Sequence, residues 1–134
     1  TPERFVELGE SYLRGLGVTR QKSSYLLHLS ESLVNRNLKL QTLSRLSDDQ
    51  VLVRLTGIKG IGLWSANIYL LMAMRRADIW PAGDLALAVA IKELKGLAAR
   101  PSPEELEVIA EAWRPHRAVA ARMLWQYYLG RKSV

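Results

Sequence analysis

The sequence predicts an all-α fold, and three observations carry that prediction. No stretch of the 134 residues alternates apolar and polar side chains long enough to make a strand. Apolar residues instead recur at three- and four-residue intervals. Helix-start signals are frequent: Ser47 with Gln50, and Ser102 with Glu105, both fit capping boxes, and Pro103 occupies the first helical position of the second. About seven helices in a single domain, residues 1–134, are expected.

Thr1-Pro2-Glu3-Arg4 reads as a helix start, with Phe5, Leu8, Tyr12 and Leu16 marking one face and Gly15-Leu16-Gly17 ending it. Thr19 or Ser24 starts a second helix, whose apolar face is Tyr25, Leu26, Leu29 and Leu33. Arg20 and Lys22 oppose that helix's dipole and should lie in solvent or near an anion. Asn35-Arg36-Asn37 ends the helix, and a polar connection leads to Ser44–Arg54. A helix over Leu63 to Arg75 follows a glycine turn, and Arg75-Arg76-Ala77-Asp78 reads as a solvated exit. Next come a helix from Leu85 to Lys95, ended by Gly96, and one beginning at Ser102 with Leu106, Ile109, Ala110 and Trp113 as its stripe. In the fifth helix, Leu85, Val89 and Ala88 or Leu94 are the candidate core positions. Pro115 starts the last helix, Gly130 ends it, and 131–134 should be a frayed tail.

Formal net charge is +6, which modestly favours a polyanionic partner. The absence of cysteine excludes disulfides, thiol catalysis and cysteine-ligated zinc or iron–sulfur sites. His28 and His116 are far apart and form no metal motif. No apolar run reaches the ~18 residues of a membrane span, and no secretory leader pattern opens the chain. A soluble, intracellular protein (cytoplasm or nucleoid, or a nucleus) with no membrane partner is expected. The first residue is Thr1 rather than Met, as in a processed chain or a fragment.

The chain's focus is Leu55 to Leu87. Gly60-Ile61-Gly62 joins two helical stretches, and glycine allows both positive φ and close approach of a ligand to the backbone. Main-chain N–H groups at such a turn suit a phosphate. A nucleotide-binding glycine turn would follow a strand; here a helix precedes it, so helix, hairpin, helix over about 47–75 is the better reading. A tight turn with no ligand is the plain alternative. Further on, Trp80-Pro81-Ala82-Gly83-Asp84 puts a carboxylate at the mouth of a new helix, where Asp84 could equally be a simple cap.

Taken together, the hairpin, Trp64, Asp84, Trp113-Arg114-Pro115-His116-Arg117 and Met123-Leu124-Trp125 resemble the helix-hairpin-helix DNA glycosylases. The similarity is to the alkylpurine branch, the 3-methyladenine DNA glycosylase II family. It runs over nearly the whole chain. The resemblance implies a monofunctional base-excision enzyme that flips an alkylated purine (3-methyladenine or 7-methylguanine class) out of double-stranded DNA and hydrolyses its N-glycosidic bond. Asp84 would be the catalytic carboxylate, stabilising positive charge on the sugar and orienting water. Trp64 and Trp125 would wall the base pocket, an indole face attracting a cationic purine by ~2 kcal/mol or more when desolvated. Trp80 and Trp113 are assigned to the core or to packing of the turn at Asp84.

Bifunctional relatives resembling endonuclease III carry a lysine where Trp64 stands, so a Schiff base and strand nicking are not expected. The resemblance also implies phosphate contacts from Gly60, Gly62 and Ser65, with Lys59 nearby. It further implies a structural sodium or potassium ion on the carbonyls of Thr56, Ile58 and Ile61; no cofactor is required for catalysis. Lys59 and Leu63 depart from the residues common in the family, but neither change touches a main-chain donor. Family members usually carry a segment before the first helix seen here. The chain is therefore expected to lack the N-terminal part of the two-lobed domain, including the wedge residue, and a second chain or self-association could supply it. The competing reading is a non-catalytic or incomplete helix-hairpin-helix DNA-binding fragment.

Overall fold

A computed structural model describes residues 1–130; the expected frayed tail, 131–134, lies outside the described residues. Among these residues there are eight α-helices, one π turn, one 3-10 turn and no strand. The chain divides into two compact units, the first Thr1–Ala66 and the second beginning at Asn67. None of the helices is long and apolar enough to cross a membrane.

In the first unit, α1 (Pro2–Gly15) is capped by the Thr1 hydroxyl, which accepts from the Arg4 N–H at 3.4 Å. Gly9 breaks it, with φ 69° and ψ 176°. That break resets the phase of the second half. Leu13, rather than the expected Tyr12 or Leu16, is the buried residue, and the latter two are exposed. Helix α2 (Arg20–Val34) starts at Thr19, whose hydroxyl accepts from Lys22 N–H. It packs on α1. Its buried residues are Ser23 and Ser30 rather than the leucine stripe, and Leu26 is exposed. Both serine hydroxyls donate back to main-chain carbonyls, Ser30 to Leu26 at 2.9 Å, so small polar side chains are buried without leaving a hydroxyl unpaired.

The connection read as polar contains α3 (Leu40–Leu43), a single turn anchored by buried Leu38 and Leu43. Helix α4 (Asp48–Thr56) has the expected capping box: Gln50 N–H donates to Ser47 Oγ at 3.3 Å and Ser47 N–H to Gln50 Oε1 at 3.1 Å. Val51 and Leu55 are its buried residues.

Helix α5 (Leu63–Ile68) runs into a π turn, Tyr69–Ala73, so the helix expected to reach Arg75 ends earlier. Met74 N–H donates to Tyr69 carbonyl five residues back, and Arg75 then turns left-handed at φ 55°. Leu70 and Leu71, adjacent in this turn, are both buried. There α6 (Leu85–Leu94) packs on α8 (Arg117–Gly130). Between them in sequence are α7 (Pro103–Ala110), with its Ser102–Glu105 capping box, and a 3-10 turn, Glu111–Trp113. The last helix starts at Arg117, two residues beyond the expected Pro115. Gly96, at φ 63°, follows the α6 C-cap as expected.

Helix α6 buries Leu87, Ala88, Ala90 and Ile91, whereas Leu85 and Leu94 are exposed. Of the expected core positions Ala88 is buried and Leu85 and Leu94 are not, and the reason is local. Asp84 is itself only 7 % exposed. Positions 84, 87, 88 and 91 share one helical face, so burying the cap residue turns Leu85 outward.

Candidate active site and hairpin

The hairpin lies in the first unit. Helix α4 ends at Gly57, Ile58 N–H donates to Leu55 carbonyl and Ile61 N–H to Ile58 carbonyl, both at 3.0 Å, and α5 begins at Leu63. The two glycines do different work. Gly60 has φ 94°, and a Cβ there would overlap the Tyr25 ring. Tyr25 is held over it by a hydrogen bond from Gln21 Nε2 to its hydroxyl at 2.9 Å. Gly62 has no left-handed φ, and a Cβ there would meet nothing within 4 Å. So Gly60 is required by the fold, whereas the space at Gly62 is open.

Among the described residues, no acceptor takes the N–H of Gly60, Gly62 or Ser65, and all three residues are exposed, as is Lys59. Among the described residues the carbonyls of Thr56 and Ile61 accept no main-chain N–H, and that of Ile58 uses one lone pair on Ile61. Trp64 is 48 % exposed.

Asp84 lies in the second unit, at the N-cap of α6. Two donors converge on its Oδ1: the Leu87 main-chain N–H at 3.0 Å and the Trp125 indole N–H at 3.2 Å. The structure thus brings together two of the residues singled out in the sequence. Trp125 is half-buried on α8, beside buried Ala121 and Leu124. The expectation for Trp125 concerned its ring face; the bond made by its polar edge had no signal in sequence, since 41 residues separate the partners.

Asp78 was read as part of a solvated exit, and the structure corrects that. The Arg117 guanidinium donates to it three times: Nε to Oδ1 at 2.7 Å, and Nη2 to Oδ2 at 3.1 Å and to the main-chain carbonyl at 3.0 Å; the Arg117 main-chain N–H adds a longer bond to Oδ1 at 3.5 Å. Arg114 Nη1 adds a bond to Oδ2 at 2.8 Å and reaches Glu111 through its Nε at 2.7 Å. The Trp113–Arg117 segment therefore clamps the chain just before the Asp84 turn to the start of α8. Arg117's hydrogen bonds and charge, reinforced by Arg114, hold the Asp78 carboxyl below its usual range despite some desolvation. Hydrogen bonding to Arg114 likewise lowers Glu111. Next to the clamp, Trp80 is buried and packs on Trp113 with ring centroids 5.5 Å apart, which is the packing role expected of both.

A family model described as the HhH-GPD superfamily of base excision DNA repair proteins matches residues 1–115. An alkylbase DNA glycosidase-like protein, mag2 of Schizosaccharomyces pombe, is 30 % identical over 127 residues, covering 94 % of this chain and 60 % of its own. The structure of a 3-methyladenine DNA glycosylase from the same yeast, in complex with abasic DNA, superposes with a TM-score of 0.88 at 29 % identity, over 94 % of this chain and 62 % of that one. A DNA-3-methyladenine glycosidase from Bacillus halodurans superposes at 0.83 with 29 % identity, over 96 % and 59 %. The chain spans about half the length of the curated relatives it matches.

Two predictions follow from this geometry. Gly60→Ala should cost about 2–4 kcal/mol of stability, because it adds backbone strain to a clash, while Gly62→Ala should stay within about 0.5 kcal/mol; urea unfolding measures both. The Asp78 clamp makes stability acid-sensitive. Its carboxyl is lowered by folding, so its contribution is full above the ordinary carboxylate pKa, near ~4, and is lost as pH falls through the lowered value. Asp78→Asn should flatten that acid limb and cost about 1–3 kcal/mol at neutral pH, read from unfolding curves at a series of pH values.

Proposed function

The chain belongs to the HhH-GPD superfamily of base excision DNA repair proteins, and on that premise we propose that it hydrolyses the N-glycosidic bond of alkylated purines in double-stranded DNA. The observation that carries the reading is Asp84, a buried carboxylate whose Oδ1 is tied to the start of α6 and to Trp125. In this reading Asp84 is the catalytic residue. As the C1′–N bond lengthens, its electron pair leaves with the base and C1′ becomes cationic. A carboxylate in a dry site stabilises that charge far better than one in water. A water oxygen, oriented by the same carboxylate, bonds to C1′ and releases its proton, leaving an abasic site. No general acid is required, because an alkylated purine is already positively charged and departs neutral.

Turning the nucleotide out of the duplex requires a pocket for the base and a grip on the backbone. Trp64, half exposed, offers an indole face to a cationic purine, and in the second unit Trp125 is a further candidate to face the base. The unpaired N–H groups of Gly60, Gly62 and Ser65, with Lys59 beside them, suit a phosphate. The free carbonyl capacity of Thr56, Ile58 and Ile61 fits a sodium or potassium ion in donor type. Such an ion would add positive charge for the phosphate and take no part in the chemistry. Trp64 stands where a lysine would be needed for a Schiff base, so water is the nucleophile. A further segment or a second chain would fill the gap left by the flipped base.

One observation favours a second reading, a DNA-binding fragment without activity: the chain covers only 60 % of mag2, and 62 % of the DNA-bound yeast glycosylase. Both readings are separated by base release from duplex DNA carrying 3-methyladenine or 7-methylguanine, under single-turnover conditions. Asp84→Asn should lower the rate by about a hundredfold or more while leaving DNA affinity unchanged. Borohydride should trap no covalent complex. Base release equal in the variant and the unaltered chain would remove Asp84 from the mechanism. Gly62→Ala should fold normally yet weaken duplex binding several-fold and reduce its salt dependence.

A further inference from the structure

We propose that Trp125 is a positioning residue for Asp84, acting through its indole N–H rather than only through its ring face. The proposal rests on the hydrolytic reading of Asp84 given above and assigns to Trp125 a role in orienting the carboxylate.

The geometry that points to it is the pair of donors on Oδ1. The Leu87 N–H, at 3.0 Å, belongs to the same helix that Asp84 caps, and fixes the carboxyl only relative to α6. A single donor from the first helical turn restrains the carboxyl group from one direction only. The Trp125 N–H, at 3.2 Å, arrives from α8, a different element. Two donors from separate directions set the plane of the group, and with it the direction of Oδ2.

The donor itself is held rigidly. Ala118, Ala121 and Leu124 of α8 are buried, and the helix start is fixed by the Arg117–Asp78 pair and by the Ala118 N–H, which donates to Ala77 carbonyl at 3.0 Å. An indole has one N–H and no acceptor, so it suits a carboxylate and would not trade partners. Misplacing a reacting group by about 1 Å can cost on the order of a hundredfold in rate. A second tether on a carboxylate that must face C1′ therefore has kinetic weight beyond its contribution to stability.

Trp125→Phe tests this, because it keeps an aromatic face and removes only the donor. The expected result is a fall of about tenfold to a hundredfold in the single-turnover rate of 7-methylguanine release, with the half-saturating DNA concentration changed less than about twofold. In the Asp84→Asn background the same substitution should have no further effect, since its action runs through the carboxylate. The indole N–H resonance of Trp125, identified by its absence in Trp125→Phe, should move on Asp84→Asn. A Trp125→Phe protein with unchanged rate, or with weaker DNA binding at unchanged rate, overturns the proposal and leaves Trp125 as a pocket wall only. So does an equal loss in the presence and absence of Asp84, or an indole resonance indifferent to Asp84→Asn. If the unaltered chain releases no base, the hydrolytic reading fails; the resonance then decides the tether by itself.

Discussion

The second unit depends on one buried carboxylate. Asp84 satisfies an N–H at the open end of α6, which would otherwise lose its partner on burial. In doing so it sets which face of α6 turns inward. Through Trp125 it also ties α6 to α8, the two helices that pack together there. A capping role and a chemical role are usually weighed against each other for such a residue. Here they are compatible: a cap bond fixes one oxygen to the protein frame, and a fixed carboxylate is what charge stabilisation at a sugar requires. The structural role supplies the preorganisation on which the proposed chemistry draws.

The Asp78 clamp extends the same logic one step outward. Arg117 meets Asp78 with a bidentate fork and takes its main-chain carbonyl as well. Asp78 precedes the Trp80–Asp84 turn by two residues, and Arg117 opens the helix that carries Trp125. The ion pair, the tilted contact of Trp80 with Trp113 and the Trp125–Asp84 bond therefore tie the stretch from Asp78 to Asp84 to the segment from Trp113 to Trp125. A guanidinium rather than an ammonium is needed for this, since three bonds from one planar group define a direction as well as an attraction.

Much of this was legible in the sequence, and the pattern of what was not has a physical basis. Helix starts at Thr1, Ser47 and Ser102, and Thr19 as one of two alternatives, are legible because caps are chemistry between residues two or three apart. Asp84 stood out because it follows a Pro/Gly turn and opens an apolar run. By contrast, the Gly9 break, the short helix at Leu40–Leu43 and the π turn after Ile68 carry no cap or periodicity signal in the sequence. The Arg117–Asp78 and Trp125–Asp84 bonds join residues 39 and 41 positions apart, a separation over which periodicity carries no information. Arg75-Arg76-Ala77-Asp78 looked like solvent-facing charge because nothing nearby in sequence named its partner.

The hairpin and the carboxylate are built on opposite principles, and that bears on how each tolerates change. The hairpin offers main-chain N–H groups, so its side chains can vary freely provided Gly60 accepts the Tyr25 ring and Gly62 leaves its surroundings open. Lys59 and Leu63 are both exposed and alter neither condition. The carboxylate site offers a side chain whose direction is fixed by another side chain, so it tolerates little. A change at Trp125 or Arg117 reaches Asp84 through bonds, without altering a single atom of the acid. The arginines around Pro115 act in the same way: through Asp78 they fix the start of the helix that carries Trp125.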